Sequence, residues 1–297
     1  MTPLVSVLMP SYCHKKYVEI AVRSVMEQKG VSFELLVIDD GSNDGTPKIL
    51  QKLSAELGFY FLSRENRGVI KTLNELAKIS KGKYICTMAS DDIMPPDRLK
   101  IQAEFMEKHP EYAASFGQIK EMSEAGEVEK NINGKFLKGI PEVSFDDLYS
   151  FKKLVHGCTE MVQKNAFDFA GGYSDEFIFE DFPLFWALAK RFGNLAVLSN
   201  VFCYYRTHKT NLRKNYFPLF FDALKLTEKY KENKFYKKAK NNCKNFCYSS
   251  IIEVSKITAL KNIPLFFNFS FGFFKNSLKL FMPKSIYPRL ARIRNGG

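Results

Sequence analysis

Three short acidic clusters in the sequence have residue types suited to metal and proton chemistry. Asp39 and Asp40 form the first, Asp91 and Asp92 the second, and Glu180 with Asp181 the third. A carboxylate pair suits a hard divalent cation, which takes oxygen ligands and bridges phosphates. A single carboxylate can accept a hydrogen bond from a nucleobase imide, or take a proton from a hydroxyl group as a general base.

Each cluster also has a structural interpretation. Asp and Ser at the turn between a strand and a helix commonly cap the helix. Carboxylates at the first turn of a helix satisfy its free N–H groups and its dipole. Two adjacent aspartates with no other cluster nearby more often start a loop or cap a helix than bind a metal. The ordered combination of the three clusters therefore favours chemistry more than any one of them does.

The elements that would position these clusters alternate between strands and helices. Apolar runs at 4–9, 34–38, 59–62 and 84–88 predict buried strands, and amphipathic helical patterns separate them. This alternation predicts an α/β fold with a mostly parallel sheet flanked by helices. Ligands bind at the carboxyl ends of the strands in such sheets, where the first two acidic clusters lie.

The second half of the chain is less regular. Residues 120–150 are polar and predict a loop-rich insertion, a helix is expected from about 181 to 191, and residues 201–206 predict a strand. From about Phe217 onward the pattern is helical, basic and aromatic. We therefore expect an α/β domain over 1–212 and a helical C-terminal extension over 213–297.

Charge divides the 297-residue chain unevenly. Residues 201–297 hold 20 Lys and Arg against 4 Asp and Glu, a net charge of +16, whereas residues 1–200 carry −4. Phenylalanines crowd the 263–281 segment among lysines. One interpretation is a helical bundle with solvated charges. The favoured one is a surface that meets anionic lipid with its lysines and the headgroup boundary with its aromatics.

The cysteines, the N-terminal segment and the basic charge bear on where the protein is located and on whether it binds nucleic acid. The six cysteines form no CxxC pair, which favours a reduced, cytoplasmic protein. Neither a signal peptide nor a run of 18 apolar residues is evident, so a membrane-spanning segment is not expected. The basic, aromatic tail therefore predicts a cytoplasmic protein held at the inner face of the cytoplasmic membrane. No nucleic-acid-binding motif accompanies the basic charge, and nucleic acid is not an expected partner.

Six segments occur in an order and spacing that resemble family 2 glycosyltransferases of the GT-A fold. They are SVLMPSY at 6–12, VIDDGSNDGT at 37–46, ENRGV at 65–69 with Asn74, GKYICTMASDD at 82–92, GGYSDEF at 171–177 and FEDFPLFW at 179–186. The resemblance covers about 3–210. It implies inverting transfer of a sugar from a nucleotide diphosphate donor, UDP-hexose or UDP-N-acetylhexosamine, to a glycan or lipid-linked glycan in cell-surface polysaccharide, lipooligosaccharide or glycoprotein-glycan synthesis.

The resemblance also implies roles for particular residues. Asp181 corresponds to the catalytic base, with Glu180 as its acidic neighbour. A divalent metal, Mn²⁺ or Mg²⁺, would be held by Asp91, Asp92 and His208. The residues expected to contact the nucleotide-sugar are Pro10, Tyr12, Asp40, Lys71, Asp91 and Arg206.

Two alternatives remain open on the sequence. A non-catalytic module of the same fold could bind a nucleotide-sugar without turnover, although the intact carboxylates argue against this. A nucleotidyltransferase would also use acidic metal sites, but the segment after the first strand lacks the glycine-rich phosphate loop expected of one. The donor sugar, the acceptor and the linkage do not follow from the motifs.

Overall fold

The computed structural model describes residues 2–128, 142–208 and 216–282. The chain forms two compact units, one of Met1–Phe145 with Lys153–Lys209 and the other of Asp146–Lys152 with Thr210–Gly297. The helical extension expected from residue 213 falls within the second unit. That unit also takes in Asp146–Lys152, which the sequence pattern did not separate from the first.

The first unit is built on an eight-stranded mixed sheet. Its strands are β1 (Val5–Ser11), β2 (Phe33–Asp40), β3 (Tyr60–Arg64), β4 (Tyr84–Thr87), β5 (Ala114–Met122), β6 (Glu142–Val143), β7 (Met161–Gln163) and β8 (Leu195–Arg206). They lie in the order β3-β2-β1-β4-β7-β5-β8-β6. The first four strands are mutually parallel, β5 is parallel to β8, and β6 and β7 pair antiparallel with their neighbours.

Helices cover this sheet between the strands. They are α1 (Val18–Met26), α2 (Thr46–Leu57), α3 (Val69–Ile79), α4 (Arg98–Lys108), α6 (Lys164–Phe169) and α7 (Asp181–Phe192), with a 3-10 turn at Gly157–Thr159. The short helix α5 (Phe145–Tyr149) belongs to the second unit from Asp146 onward. Alternate residues of β1, Val5, Val7 and Met9, are fully buried with Val22 and Val25 of α1 in one core. Burial of both sheet faces explains why the strands read as near-continuous apolar runs. The α/β fold expected from the sequence is thereby confirmed.

Several strands are longer than their apolar runs. β2 extends to Asp40 because its last two residues pair with Ser63 and Arg64 of β3, so the first acidic cluster ends a strand rather than following one. β8 begins at Leu195 rather than 201 because β5 and β6 pair with its first residues. The polar 120–150 segment contains the end of β5, then β6 and α5; residues 129–141 lie outside the described part of the chain. Hydrogen bonding to a neighbouring strand determines where these strands begin and end, and the hydropathy of the sequence does not reveal that pairing.

The second unit is helical. It contains α8 (Tyr216–Glu228), α9 (Tyr236–Val254), α10 (Lys256–Lys261), α11 (Ile263–Phe266) and α12 (Phe271–Leu278), followed by a 3-10 turn at Lys279–Phe281. Tyr248 stacks between Phe266 and Phe273, with ring centroids 5.4 and 5.3 Å away, and Phe220 lies 4.8 Å from Phe266. Across the three described ranges, every helix is too short or too polar to cross a bilayer.

Candidate active site

The carboxyl ends of the central strands bring the first two acidic clusters to one edge of the sheet. Ser11 at the end of β1 pairs with Asp39, and Leu8 pairs with Thr87 at the end of β4. Four residues beyond Thr87, the loop presents Asp91. The parallel register therefore explains why segments far apart in sequence reach a common site.

Asp91 lies in a cluster with two histidines. Its Oδ2 atom is 2.7 Å from Nε2 of His208 and 3.8 Å from Nε2 of His14. Within the described ranges, these three side chains offer ligand atoms that all lie within 4.8 Å of one another. The predicted pair of Asp91 and His208 is therefore together in space, and the sequence reading missed His14. Burial lowers the pKa of His14, although the charge of Asp91 opposes this shift.

Asp92 lies in a different environment from Asp91. Its Oδ1 atom accepts a 2.7 Å hydrogen bond from the backbone N–H of Arg206, and its Oδ2 atom lies 3.5 Å from Sγ of Cys203. Burial and the charge of Asp91 raise the pKa of Asp92 to about 8. Asp92 thus faces β8 and is not in the cluster with His208 that the sequence expectation gave it.

Arg206 joins the same loop to the end of β8. Its Nε donates to the carbonyl of Asp91 at 2.7 Å, and Nη1 donates to the carbonyl of Glu124 at 3.0 Å. The guanidinium also lies over the ring of Tyr17, 4.8 Å from its centroid. The structure therefore places this predicted nucleotide contact against peptide carbonyls, where it holds the loop of Asp91.

The carboxylate of Asp40 is enclosed by the segment after β3. It accepts from the guanidinium of Arg64 and from the backbone N–H groups of Arg67, at 2.9 Å, and Gly68, at 2.8 Å. Gly41 follows with φ of +84°, and a Cβ there would meet backbone nitrogen 2.7 Å away. The predicted acceptor for a base imide thus also holds two loops together, and only glycine suits the position after it.

The other predicted nucleotide contacts are more open. Tyr12 is exposed just after β1, Pro10 is partly buried within that strand, and Lys71 is exposed on α3. Their roles toward a nucleotide stay predictions. Tyr12 is 51% exposed, and stacking on a base would need an accessible ring.

Asp181 is the first residue of α7 and is partly buried. Its Oδ1 atom accepts from the N–H of Phe182 at 2.8 Å, and burial raises its pKa to about 6. Gly157 passes close by, since a Cβ on it would lie 3.0 Å from Oδ2 of Asp181. Burial, with the charge of Asp181, also raises the pKa of Glu180 to about 8. A carboxyl group that titrates near pH 6 is suited to general base catalysis.

Glu160 is a buried carboxyl group that the sequence reading missed. Its Oε1 atom accepts from Thr87 Oγ1 at 3.0 Å and from the hydroxyl of Tyr173 at 2.5 Å. No described residue hydrogen-bonds its Oε2 atom. Burial raises the pKa of Glu160 to about 7, and the charge of Asp181 contributes. Glu160 therefore connects the end of β4 with the surroundings of Asp181.

The signals for the missed residues were weak. His14 is one of four histidines in the chain, and its rarity was the only hint that the sequence offered. Glu160 immediately precedes the short strand β7, and a charged residue at that position is typical of the end of a loop. Arg98 is fully buried and donates to the carbonyl of Glu160 at 3.1 Å, yet it reads as a solvated helix residue.

A family model described as glycosyl transferase family 2 matches residues 6–168, more than half of the sequence. The chain belongs to this family. A curated relative, the putative teichuronic acid biosynthesis glycosyltransferase TuaG of Bacillus subtilis, is 33% identical over 166 residues, which cover 54% of this chain and 63% of TuaG. Chondroitin synthase of Escherichia coli is 35% identical over 100 residues, 33% of this chain and 15% of that protein. The family 2 chain thus spans less than two thirds of these relatives.

Solved structures share the fold of this family 2 chain. S. aureus TarS 1–349 in complex with UDP-GlcNAc superposes with a TM-score of 0.65 at 17% identity, covering 93% of this chain and 79% of TarS 1–349. The mannosyltransferase PcManGT from Pyrobaculum calidifontis, in complex with GDP-Man and Mn²⁺, gives a TM-score of 0.62 at 15% identity, covering 99% and 87%. At these identities the likeness establishes the GT-A fold alone.

Proposed function

We propose that this family 2 protein is an inverting glycosyltransferase that moves a sugar from a nucleoside diphosphate donor to a glycan or lipid-linked glycan. The observation that carries the proposal is Asp181, a partly buried carboxyl group at the start of α7 with a pKa raised by burial to about 6. Such a group is ionised at neutral pH and still basic enough to take a proton from an attacking hydroxyl.

The residues beside Asp91 fit a divalent cation. A carboxylate oxygen of Asp91 and Nε2 of His208 converge at 2.7 Å, and both atom types ligate Mn²⁺. When bound, a cation there would neutralise charge on the departing diphosphate. Because Asp92 faces Cys203 and the backbone of Arg206, the geometry supports Asp91 rather than Asp92 as the carboxylate ligand.

Asp181 and the residues around it would carry out the proton transfer of the proposed reaction. Asp181 takes the proton of the acceptor hydroxyl as that oxygen attacks the anomeric carbon from the face opposite the diphosphate. One displacement inverts the anomeric centre, so no carboxylate nucleophile is required, in contrast to retaining glycosidases. Glycine at 157 keeps side-chain atoms away from Oδ2 of Asp181, since a Cβ there would lie 3.0 Å from that oxygen.

The donor is proposed to be a UDP-hexose or UDP-N-acetylhexosamine. The similar structure of TarS holds UDP-GlcNAc, whereas PcManGT holds GDP-Man, so the fold accepts both bases. TuaG is named for teichuronic acid synthesis, and chondroitin synthase for a polysaccharide. These relatives support an acceptor in cell-surface polysaccharide synthesis.

Incubating the purified protein with a panel of UDP-, GDP- and dTDP-sugars, with and without Mn²⁺, tests this function. Release of nucleoside diphosphate from one donor, with NMR showing an inverted anomeric centre in the glycoside formed, is the expected result. Donor binding without turnover, in the presence of candidate acceptors, would instead favour a non-catalytic nucleotide-sugar module.

The second unit supports a separate proposal, that it docks on an anionic membrane surface at the inner face of the cytoplasmic membrane. Phe271, Phe274, Leu278 and Phe281 are exposed at spacings of three and four residues along α12 and its final turn, which places them on one face. Phe271 and Phe281 are 83% and 81% exposed, and Phe269 is 88% exposed nearby.

An anionic bilayer suits this stripe better than a neutral partner does. Residues 201–297 carry a net charge of +16, and each Lys or Arg near an anionic surface contributes about 1 kcal/mol. Exposed apolar patches of this kind mark interaction sites. Phenylalanine would enter the headgroup boundary while lysine meets lipid phosphate.

Vesicle co-sedimentation tests the docking proposal. Binding should rise with anionic lipid and fall between about 0.1 and 1 M salt, because the Debye length shortens from about 10 to 3 Å. The double variant Phe271→Ser, Phe281→Ser should bind less, while Phe169→Ser, at an exposed phenylalanine on α6, should bind as the wild type does. Equal binding to neutral and anionic vesicles, or none to either, would contradict the proposal.

A further inference from the structure

We propose that His14 is a third protein ligand of the cation site, and that the site therefore selects transition-metal ions over Mg²⁺ and Ca²⁺. The inference rests on the proposed function, which requires only a cation held by Asp91 and His208. It goes further because His14 lies in the loop between β1 and α1, outside both segments that carry those residues.

The distances among the three side chains are those of a site before metal binding. Two ligand atoms at about 2.1 Å from one cation lie about 3.0–3.4 Å apart for ordinary coordination angles. Oδ2 of Asp91 is now 2.7 Å from Nε2 of His208 and 3.8 Å from Nε2 of His14. The first distance must lengthen and the second shorten, each by less than 1 Å, for a cation to enter. Side-chain rotation alone provides such movements.

The second ring nitrogen of His14 is already oriented. Nδ1 lies 2.8 Å from Oγ of Ser90, the residue before Asp91. When Nδ1 carries the proton and donates it to Ser90, the lone pair of Nε2 points to Asp91. Hydrogen bonds of this kind fix the tautomer and direction of metal-binding histidines.

The backbone around His14 is held as firmly as its ring. Cys13 adopts a left-handed φ of +54°, and its N–H donates to Oγ of Ser42 at 2.7 Å. The carbonyl of His14 accepts from the N–H groups of Tyr17 and Val18 at 2.8 and 2.9 Å. A strained residue next to an ordered turn is a feature of sites where one side chain must be presented precisely in one direction.

The donor set determines which ions bind. Mg²⁺ and Ca²⁺ prefer oxygen ligands throughout, whereas imidazole nitrogen favours Mn²⁺, Co²⁺ and Zn²⁺ increasingly along the divalent series. Exposure of the side chains grows from 4% for His208 through 11% for Asp91 to 22% for His14. The side near His14 is thus the least shielded from solvent, and it is there that the oxygens of a diphosphate would complete the coordination.

Titration of the metal-free protein with Mn²⁺, Co²⁺ and Mg²⁺, without nucleotide, tests the inference by calorimetry. Wild type should bind Mn²⁺ and Co²⁺ more tightly than Mg²⁺. His14→Ala should weaken Mn²⁺ and Co²⁺ binding at least about tenfold while changing Mg²⁺ binding much less, and Ser90→Ala should weaken them about 10–100-fold through the lost ring orientation. His109→Ala is the matched control, because His109 is exposed beside Glu111 on another surface.

Two results separate this inference from the proposed function. Mn²⁺-dependent transfer that needs Asp91, with unchanged Mn²⁺ affinity in His14→Ala, would overturn the role of His14 and leave the function standing. Loss of Mn²⁺ affinity in His14→Ala, in a protein that turns over no donor, would support the role of His14 and refute the proposed function. If His14→Ala fails to fold by circular dichroism, the wild-type Co²⁺ complex decides: pulsed EPR should detect two imidazole nitrogens, and one alone would refute the inference.

Discussion

Replacing Asp181 with asparagine should remove transfer and at the same time make the protein more stable at neutral pH. Burial raises the pKa of Asp181 from its ordinary value of 3.8 to about 6, a difference of about two units, or about 3 kcal/mol against the ionised form. The start of α7 opposes this, since a carboxylate there gains about 0.3–1 kcal/mol from the helix dipole. Because the side chain is partly exposed, we expect a net gain on the order of 1–2 kcal/mol for Asp181→Asn.

The sign of the pH dependence follows from the raised pKa. The folded protein holds the proton of Asp181 more tightly than the unfolded chain does, so wild-type stability falls as pH rises from about 4 to about 6. Asparagine does not ionise, so the advantage of Asp181→Asn should be absent near pH 4 and complete above pH 6. A gain of this size raises the melting temperature by a few degrees, on the order of 2–6 °C.

Catalysis should change in the opposite direction. Loss of a general base typically lowers the rate about 10²–10⁴-fold, while nucleotide affinity should stay near that of the wild type. The wild-type rate should fall about tenfold for each pH unit below about 6, as Asp181 takes up its proton.

Thermal unfolding at pH 4.5 and 7.5, calorimetry with nucleotide, and a transfer assay from pH 5 to 8 measure these effects. Asp175→Asn, at an exposed carboxylate six residues earlier, should alter none of them. A melting temperature of Asp181→Asn below that of wild type at pH 7.5 would show a helix cap rather than a destabilised base. Nucleotide affinity that falls as far as the rate would remove Asp181 from the role of base.

Four further substitutions test the loops that surround the site. Asp91→Asn should abolish Mn²⁺ binding measured by calorimetry, whereas Asp92→Asn should retain it; the opposite pattern would make Asp92 the ligand. Gly41→Ala should lower the free energy of unfolding by about 1–3 kcal/mol in urea titration, because its φ of +84° and the nearby backbone exclude a Cβ. Asp40→Ala should lower it by about 1–3 kcal/mol, since the N–H groups of Arg67 and Gly68 lose their acceptor while the guanidinium of Arg64 keeps Glu75 as a charged partner. A loss under about 1 kcal/mol would mean that water replaces that carboxylate.

The sequence was sufficient for the architecture because periodicity and turn residues are local properties. Strands β1 to β4 and the helices between them were all predicted, with limits that differed by a few residues at most. A buried parallel sheet requires continuous apolar strands, so hydropathy reports each strand directly. The extensions of β2 and β8 were missed because their added residues are held by pairing with other strands, which no local pattern records.

The residues of the candidate site were likewise predicted in part from the sequence. Asp91, Asp181 and His208 were named from motifs, since the residue type at the end of a strand or the start of a helix is visible in sequence. The distinction between Asp91 and Asp92 was not, because adjacent residues of a loop point in different directions, one toward His208 and the other toward Cys203.

Only the tertiary structure decided which distant residues meet. Asp91 and His208 are 117 residues apart, and His14 and Ser90 are 76 apart, yet each pair lies within hydrogen-bonding distance. Residues distant in sequence also surround the two carboxyl groups whose pKa values burial raises, since Gly157 lies beside Asp181 and Thr87 donates to Glu160. By itself the sequence determined which chemical groups the protein contains and on which strands, helices and loops they lie. Their mutual distances, and the shielding from water that sets their proton affinities, arise only when the sheet brings those elements together.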